Sequence, residues 1–228
     1  MQRILITGAD GQLGTELQKT GPKNFELLAL GRDQLDLGAA EPIADTISQF
    51  KPTAVINAAA YTAVDQAEEE PEVAEQINSL APGYLAAACR KNRALLIHIS
   101  TDFVFDGLGN VPYKPDSKTS PLGSYGRTKL LGEQKILEAL STALIVRTSW
   151  VYSAYGKNFV KTMLRLMQER DTVRVVEDQI GAPTWARGLA EMLWASLSKD
   201  NIRGIYHWSD EGICSWYQFA KAIAEEAV

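Results

Sequence analysis

Ile4-Leu5-Ile6-Thr7, followed at once by Gly8-Ala9-Asp10-Gly11-Gln12-Leu13-Gly14, decides the fold of this chain. A short apolar, β-branched run breaks at a glycine, and Leu13 and Leu17 then recur at helical spacing, which predicts strand, tight turn and helix. Each glycine of G-x-x-G-x-x-G has a physical purpose. One adopts a backbone conformation closed to other residues, the next lets the main chain approach a pyrophosphate, and the third lets helix and strand pack closely. The free N–H groups and the positive end of the helix dipole then face the phosphates. The turn predicts a dinucleotide site drawing on Gly8, Asp10, Gly11, Gln12, Leu13 and Gly14, whereas a plain tight βα connection would use glycines for packing alone.

Outward from this turn, apolar runs alternate with helical patterns. Residues 25–30, 54–57, 94–100 and 143–148 read as short buried strands, apolar on both faces, with helices at about 42–50, 72–92 and 124–140 between them. Such alternation, with right-handed crossovers, predicts a Rossmann-like, doubly wound parallel α/β sheet. Beyond residue 150 the strand spacing loses regularity and turn signals thicken (Gly156, Gly181, Pro183, Gly204, Gly212). The expected organisation is a dinucleotide-binding domain over 1–150. Residues 151–228 are then expected to supply a small substrate-binding lobe, with some segments returning to the first domain.

Composition bounds the function. With 228 residues, 46% of them hydrophobic, the chain can bury a full core. A net charge of −5 argues against nucleic acid or an anionic membrane surface as partner. Cys89 and Cys214, the two cysteines, suggest neither a disulfide framework nor a metal-site spacing, and are expected to be reduced thiols. Met1-Gln2-Arg3 runs straight into the first strand without a signal peptide, and no apolar stretch is long enough to cross a bilayer, so a cytoplasmic location is expected.

A second constellation is Tyr125-Gly126-Arg127-Thr128-Lys129. On a helix, i and i+4 share a face, so phenol and ammonium are expected to act together, the cation drawing a reluctant acid with an ordinary pKa near 10 toward working pH. Tyr217 and Lys221 repeat the spacing. Context separates the two. Tyr125 follows a strand ending in Ser100-Thr101-Asp102, a hydroxyl at the carboxyl end of a sheet strand, where doubly wound folds bind ligands. Tyr217 lies in a helix with a Ser215/Gln218 capping-box pattern, among packing residues Trp216, Phe219 and Ile223.

Together the residues resemble a known family. The G-x-x-G-x-x-G turn points to the short-chain dehydrogenase/reductase branch of the fold. Residues 57–65 (NAAAYTAVD), 100–107 (STDFVFDG), 147–152 (RTSWVY) and 178–184 (DQIGAPT), with Tyr125 and Lys129, look like the dTDP-4-dehydrorhamnose reductases, which are extended members of that branch. The match runs in register over essentially the whole chain. It implies reduction of the C4 ketone of dTDP-4-dehydro-L-rhamnose to dTDP-L-rhamnose for cell-surface polysaccharide. In that role Tyr125 would donate the proton, Thr101 would bind the C4 oxygen, and Lys129 would tune Tyr125 and hold the nicotinamide ribose. Thr62 and Trp150 match sugar-nucleotide contacts, with Asp102 and Phe103 beside them.

The rest of the cofactor site follows locally. Arg32, after the second strand, stands where an NAD-selective protein more often has an acid, and suits a 2′-phosphate; this favours NADPH, with NADH the lesser choice and a solvated loop arginine the bland alternative. Asp36 and Leu37 resemble the family's adenine-contacting pair. Ala58, Ala59 and Ala60 offer small side chains past which a cofactor can run. Phe103 departs from the family's frequent tyrosine and leaves ring packing in place of a hydroxyl contact. The family usually continues past Val228 through a segment that carries part of the substrate lobe and, in some dimeric members, Mg2+ ligands, so the resemblance implies an incomplete lobe in 151–228, and a metal requirement and the choice between monomer and homodimer stay open.

The alternatives are a dehydratase, epimerase or reductase of another nucleotide sugar, and a non-catalytic dinucleotide-binding regulatory subunit like the methionine adenosyltransferase β subunit, which the chain also resembles. Trp185, Trp194, Trp208 and Trp216 read as packing residues, His98 and His207 as hydrogen-bonded core histidines, and Glu68-Glu69-Glu70 as a solvated helix end. Asn158, Gln179 and Arg187 are further candidates for sugar-nucleotide contact.

Overall fold

The computed structural model describes residues 2–199 and 201–227. Its first two-thirds runs β1 (Gln2–Thr7), α1 (Gln12–Thr20), β2 (Phe25–Leu30), α2 (Ala40–Phe50), β3 (Ala54–Asn57), α3 (Gln66–Glu69), α4 (Pro71–Glu75), a widened π turn (Gln76–Leu80), α5 (Ala81–Asn92), β4 (Leu95–Thr101), a 3-10 turn (Asp102–Val104), α6 (Ser124–Ala139) and β5 (Leu144–Thr148). There follow β6 (Val151–Tyr152), α7 (Phe159–Glu169), β7 (Ile180–Gly181), β8 (Thr184–Trp185), α8 (Ala186–Ser196), β9 (Gly204–His207), β10 (Cys214–Ser215) and α9 (Trp216–Glu226).

One six-stranded sheet has the order β2-β1-β3-β4-β5-β9, with every pairing parallel. The order reverses between β1 and β3, and the crevice above the carboxyl ends of those strands is where an open α/β sheet receives a ligand. β9 adds the sixth strand from late in the chain, while α8 covers the same face as α1, sharing a core with Ile4, Ile6, Leu13 and Leu17 through Leu189, Leu193 and Trp194. The other face is sealed by Ile43 and Ile47 of α2, Leu85 of α5 and Ile136 of α6.

Two elements differ from the sequence reading. β2 is an edge strand and is only partly buried, because one of its sides has no neighbour. The single helix expected over 72–92 is broken into α4, the π turn and α5. Pro82 has no N–H with which to bond the carbonyl of residue 78, and the widened turn instead pushes Asn78 inward, where it is fully buried.

The later residues also build a second, smaller packing unit. β6 pairs with β8, and β7 pairs antiparallel with β10, each over two residues. α7 and α9 pack through Met163, Ala220 and Ile223. Among the described residues, no helix is long and apolar enough to cross a membrane.

Candidate active site

β1 ends at Thr7, and Gly8 turns the chain with φ +72°. A Cβ there would lie 2.6 Å from the Ala59 nitrogen, so the close approach of the β1 and β3 turns excludes every other residue. At Gly14 a Cβ would collide with the Gly8 carbonyl oxygen, which is the helix–strand packing role of a third glycine. Gly11 stands exposed at the start of α1 and has no capping side chain over it.

Around this turn lies a groove of about 570 Å³. It is lined by Gly8, Asp10 and Gly11 of the β1 turn, by Arg32, Asp36 and Leu37 after β2, and by Ala58, Ala59, Ala60 and Thr62 after β3. Gln12, Leu13 and Gly14 are not part of its lining. Leu13 is buried in the core, and the Gln12 side chain turns away, donating to the Val151 carbonyl at 3.4 Å and accepting from Asn158 at 2.9 Å. The groove continues along Tyr61, Gln66, Glu70, Val73 and Ile77.

Beyond Tyr61 the sheet delivers the second constellation. Thr101, the last residue of β4, accepts a hydrogen bond from the Phe103 N–H at 3.2 Å and donates one to Asp102 at 3.2 Å. Tyr125 and Lys129, one turn apart on α6, are both buried. Close packing permits this, because a Cβ on Gly126 would collide with the Phe103 carbonyl oxygen. The Phe103 ring meets Tyr125 edge-on at 5.5 Å.

The electrostatics differ from the expectation of a phenol drawn down by its cation. Burial pushes the Tyr125 phenol up to about 12; the Thr101 hydroxyl pulls it down, and the Asp102 charge raises it further. Lys129 does not counter this, because its Nζ is directed elsewhere, donating to the Ile99 carbonyl at 2.6 Å and meeting His98 Nε2 at 3.3 Å. Burial lowers Lys129 to about 8, against the raising influence of Glu133. Desolvation raises the Asp102 carboxyl to about 6. At neutral pH the phenol therefore holds its proton, as a donor must.

A sequence profile of the family described as RmlD substrate binding domain matches residues 1–228. The chain belongs to this family. It is 45% identical over 235 residues to the dTDP-4-dehydrorhamnose reductase of Aggregatibacter actinomycetemcomitans, a match covering 100% of this chain and 80% of that protein. The crystal structure of dTDP-4-dehydrorhamnose reductase from Bacillus anthracis strain Ames in complex with NADP gives a TM-score of 0.96 at 41% identity, covering 100% of this chain and 81% of that one. A dTDP-4-dehydrorhamnose reductase from Clostridium acetobutylicum also gives 0.96 at 41% identity, covering 99% and 80%.

In this RmlD-family chain the second packing unit is stitched to the sheet just after β5. Thr148 and Thr184 share a hydrogen bond at 3.0 Å, and the Ser149 hydroxyl donates to the Ala182 carbonyl at 2.7 Å. Between them Trp150 takes φ +48°, a strained region for a bulky residue. Its ring stacks on Trp216 at 3.6 Å, with Phe159 and Phe219 against the same cluster. Tyr217 and Lys221 lie outside this arrangement: the Ser215 capping box is formed, Tyr217 is exposed, and Lys221 pairs with Glu225 at 3.8 Å.

Several side chains have other surroundings than the sequence suggests. Glu68 and Glu69 end α3 exposed to solvent as expected, but Glu68 also accepts from the Ser124 N–H at 2.5 Å and the Ser124 hydroxyl at 2.9 Å, closing the open start of α6. Glu70 accepts from the Tyr61 phenol at 2.8 Å. Trp185 is exposed beneath Arg187 rather than packed, and Arg187 itself pairs with Glu191 on its own helix. Asn158 caps α7, and Gln179 is exposed. His207 is only half-buried, and its Nε2 has no hydrogen-bond partner among the described residues.

Sequence reasoning missed Asn78. Its side-chain carbonyl accepts from the Tyr61 N–H at 2.9 Å and its amide donates to the Tyr61 carbonyl at 3.0 Å, fixing the strip that carries Thr62. Pro82, an awkward residue in a helical pattern, was the available signal. Among the described residues, no group of three or more His, Cys, Asp or Glu is placed to hold a metal ion.

Proposed function

We propose that this chain reduces the C4 ketone of dTDP-4-dehydro-L-rhamnose to dTDP-L-rhamnose, with NADPH as reductant. The observation that carries the reading is the junction of two features: a glycine-lined groove at the β1/β3 reversal, and a buried, protonated Tyr125 beside Thr101 at the end of β4. Both occur in a chain that aligns along nearly its whole length with reductases of this name.

The residues present suit a dinucleotide. Gly8 and Gly11 leave a surface free of side chains at an uncapped helix start, where backbone N–H groups bind phosphate oxygens. Arg32 in the groove lining supplies a cation for a 2′-phosphate and favours NADPH over NADH. Asp36 and Leu37 would hold the adenine end, and Ala58, Ala59 and Ala60 allow close passage of the chain of the ligand. When bound, NADPH supplies the hydride.

The protein's own groups then orient and protonate. Tyr125 donates its proton to the carbonyl oxygen, and Thr101 donates a hydrogen bond that polarises the same oxygen. Lys129, whose Nζ is turned to Ile99 and His98 rather than to the phenol, is left the ribose hydroxyls. Thr62, Asp102, Phe103 and Trp150 contact the sugar nucleotide. We assign residues 1–150 to cofactor binding and chemistry and residues 151–228 to the substrate lobe, with α8 and β9 returning to the first unit.

Following NADPH oxidation with dTDP-4-dehydro-L-rhamnose as substrate, and NADH in parallel, tests this. Turnover preferring NADPH supports reaction and Arg32 together. Dinucleotide binding without turnover would assign the chain to a regulatory role or to another sugar.

A further inference from the structure

A line of buried polar side chains crosses the middle of the sheet beneath the candidate site. Thr7 on β1 donates to Asn57 Oδ1 at 2.7 Å, Asn57 Nδ2 meets His98 Nδ1 at 2.9 Å, and His98 Nε2 faces Lys129 Nζ at 3.3 Å. Thr7, Asn57, His98 and Lys129 are each no more than 1% exposed. The set joins the β1 turn to the lysine of α6, and the roles given above to Gly8 and Lys129 leave its two central members, Asn57 and His98, without a task.

Hydrogen-bond donors along the line can be assigned from one fixed point. The Ala59 backbone N–H, which can only donate, is 3.2 Å from Asn57 Oδ1. That atom is therefore the amide oxygen, and Nδ2 is the amide nitrogen, which donates to His98 Nδ1. A neutral imidazole that accepts at Nδ1 carries its proton on Nε2. His98 is fully buried and neutral, since desolvation and then the Lys129 charge lower it well below its ordinary value. Its Nε2–H thus points at Lys129 Nζ. An ammonium has three donors and no acceptor, whereas an amine has a lone pair to receive that N–H.

We propose that His98 is a positioning residue for Lys129, held by Asn57 in the tautomer that turns an N–H toward Nζ and so favours release of the lysine proton. The remaining ionisable groups around Nζ are Tyr125, one turn back on α6 with Asp102 beyond it, and Glu133, one turn on. Glu133 is already paired with Arg147 of β5 at 2.6 Å, and so attracts the lysine proton less than a free carboxylate would. Lys129 lowered to about 8 by burial agrees with this geometry. The consequence is a lysine that changes charge within the working pH range, directly behind the proton donor.

The proposal rests on Lys129 serving the reaction given above, yet the tautomer is read without turnover, so the two can fail separately. The chain has two histidines, which makes the experiment simple. Long-range 1H–15N spectra of the whole protein labelled with 15N-histidine, assigned with a His207→Asn variant, should show His98 protonated at Nε2 alone across neutral pH. A proton on Nδ1, or on both nitrogens, overturns the proposal. An Asn57→Asp carboxylate cannot donate, so it should move the His98 proton to Nδ1 and shift the alkaline limb of kcat/KM upward by about one pH unit. In a His98→Phe background the same change should shift the limb much less. An equal shift in both backgrounds would assign the effect to the added charge and remove His98 from the account.

Discussion

The sheet and the unit beyond Trp150 hold their side chains by different means. In the sheet and against it, polar groups are buried and bonded side by side: Thr7, Asn57, His98, Ser100 and Arg147 of the strands and Glu133 of α6 are all under 5% exposed, and Glu133 receives both Ser100 and Arg147. The later unit has strands of two residues, an aromatic stack, and exposed apolar side chains at Ile180, Ile213 and Tyr217. Buried, mutually bonded groups keep their geometry because every alternative leaves a polar atom unpaired. Stacked rings slide and repack at lower cost. On the function proposed above, this suits the sheet to placing a proton and a reductant, and the lobe to accepting a nucleotide sugar.

That contrast can be broken most sharply at Tyr125. Tyr125→Phe keeps the ring and its packing but removes the proton, so turnover should fall by up to roughly 10^4-fold, the range of a general acid. NADPH affinity, measured by titration, should be nearly unchanged; a large loss of affinity would mean that the residue holds the cofactor rather than the proton.

Next in size is the ion pair under the sheet. Glu133→Gln leaves the Arg147 guanidinium buried without its carboxylate, and urea unfolding should show a loss of about 3–5 kcal/mol. A loss below about 1 kcal/mol would show that this region repacks as freely as the lobe.

In the lobe, Trp216→Ala removes the ring stacked on Trp150. The KM for the sugar nucleotide should rise about tenfold, in line with roughly 1.5 kcal/mol for an aromatic pair. The affinity for NADPH and the pH profile should stay as they were. A change in the pH profile would tie the lobe to the proton chemistry and erase the division. The smallest effect is expected at Ser215→Ala, which removes the α9 cap. Its cost is about 1 kcal/mol, read as a lower midpoint in thermal unfolding.

Legibility in the sequence follows the same boundary. The β1–α1 turn, the parallel strands and the Tyr125/Lys129 spacing were readable because each depends on a few adjacent residues whose conformations are restricted. Glu68 and Asn78 were not, since their partners Ser124 and Tyr61 are brought close only by the tertiary fold. Trp216 read as ordinary packing, because nothing local reveals that Trp150 bends with φ +48° to meet it. The direction of Lys129 toward His98 rather than toward the phenol is likewise set by β4, an element apart from the helix that carries the motif.

The most direct measurement is transfer of deuterium from NADPH carrying deuterium at both C4 positions of the nicotinamide to dTDP-4-dehydro-L-rhamnose by the whole protein, with the product read by NMR. The account predicts one deuterium at C4 of the sugar in dTDP-L-rhamnose, and none with the Tyr125→Phe variant under the same conditions. Cofactor bound but no label transferred by the native chain, or label at another carbon, would contradict it.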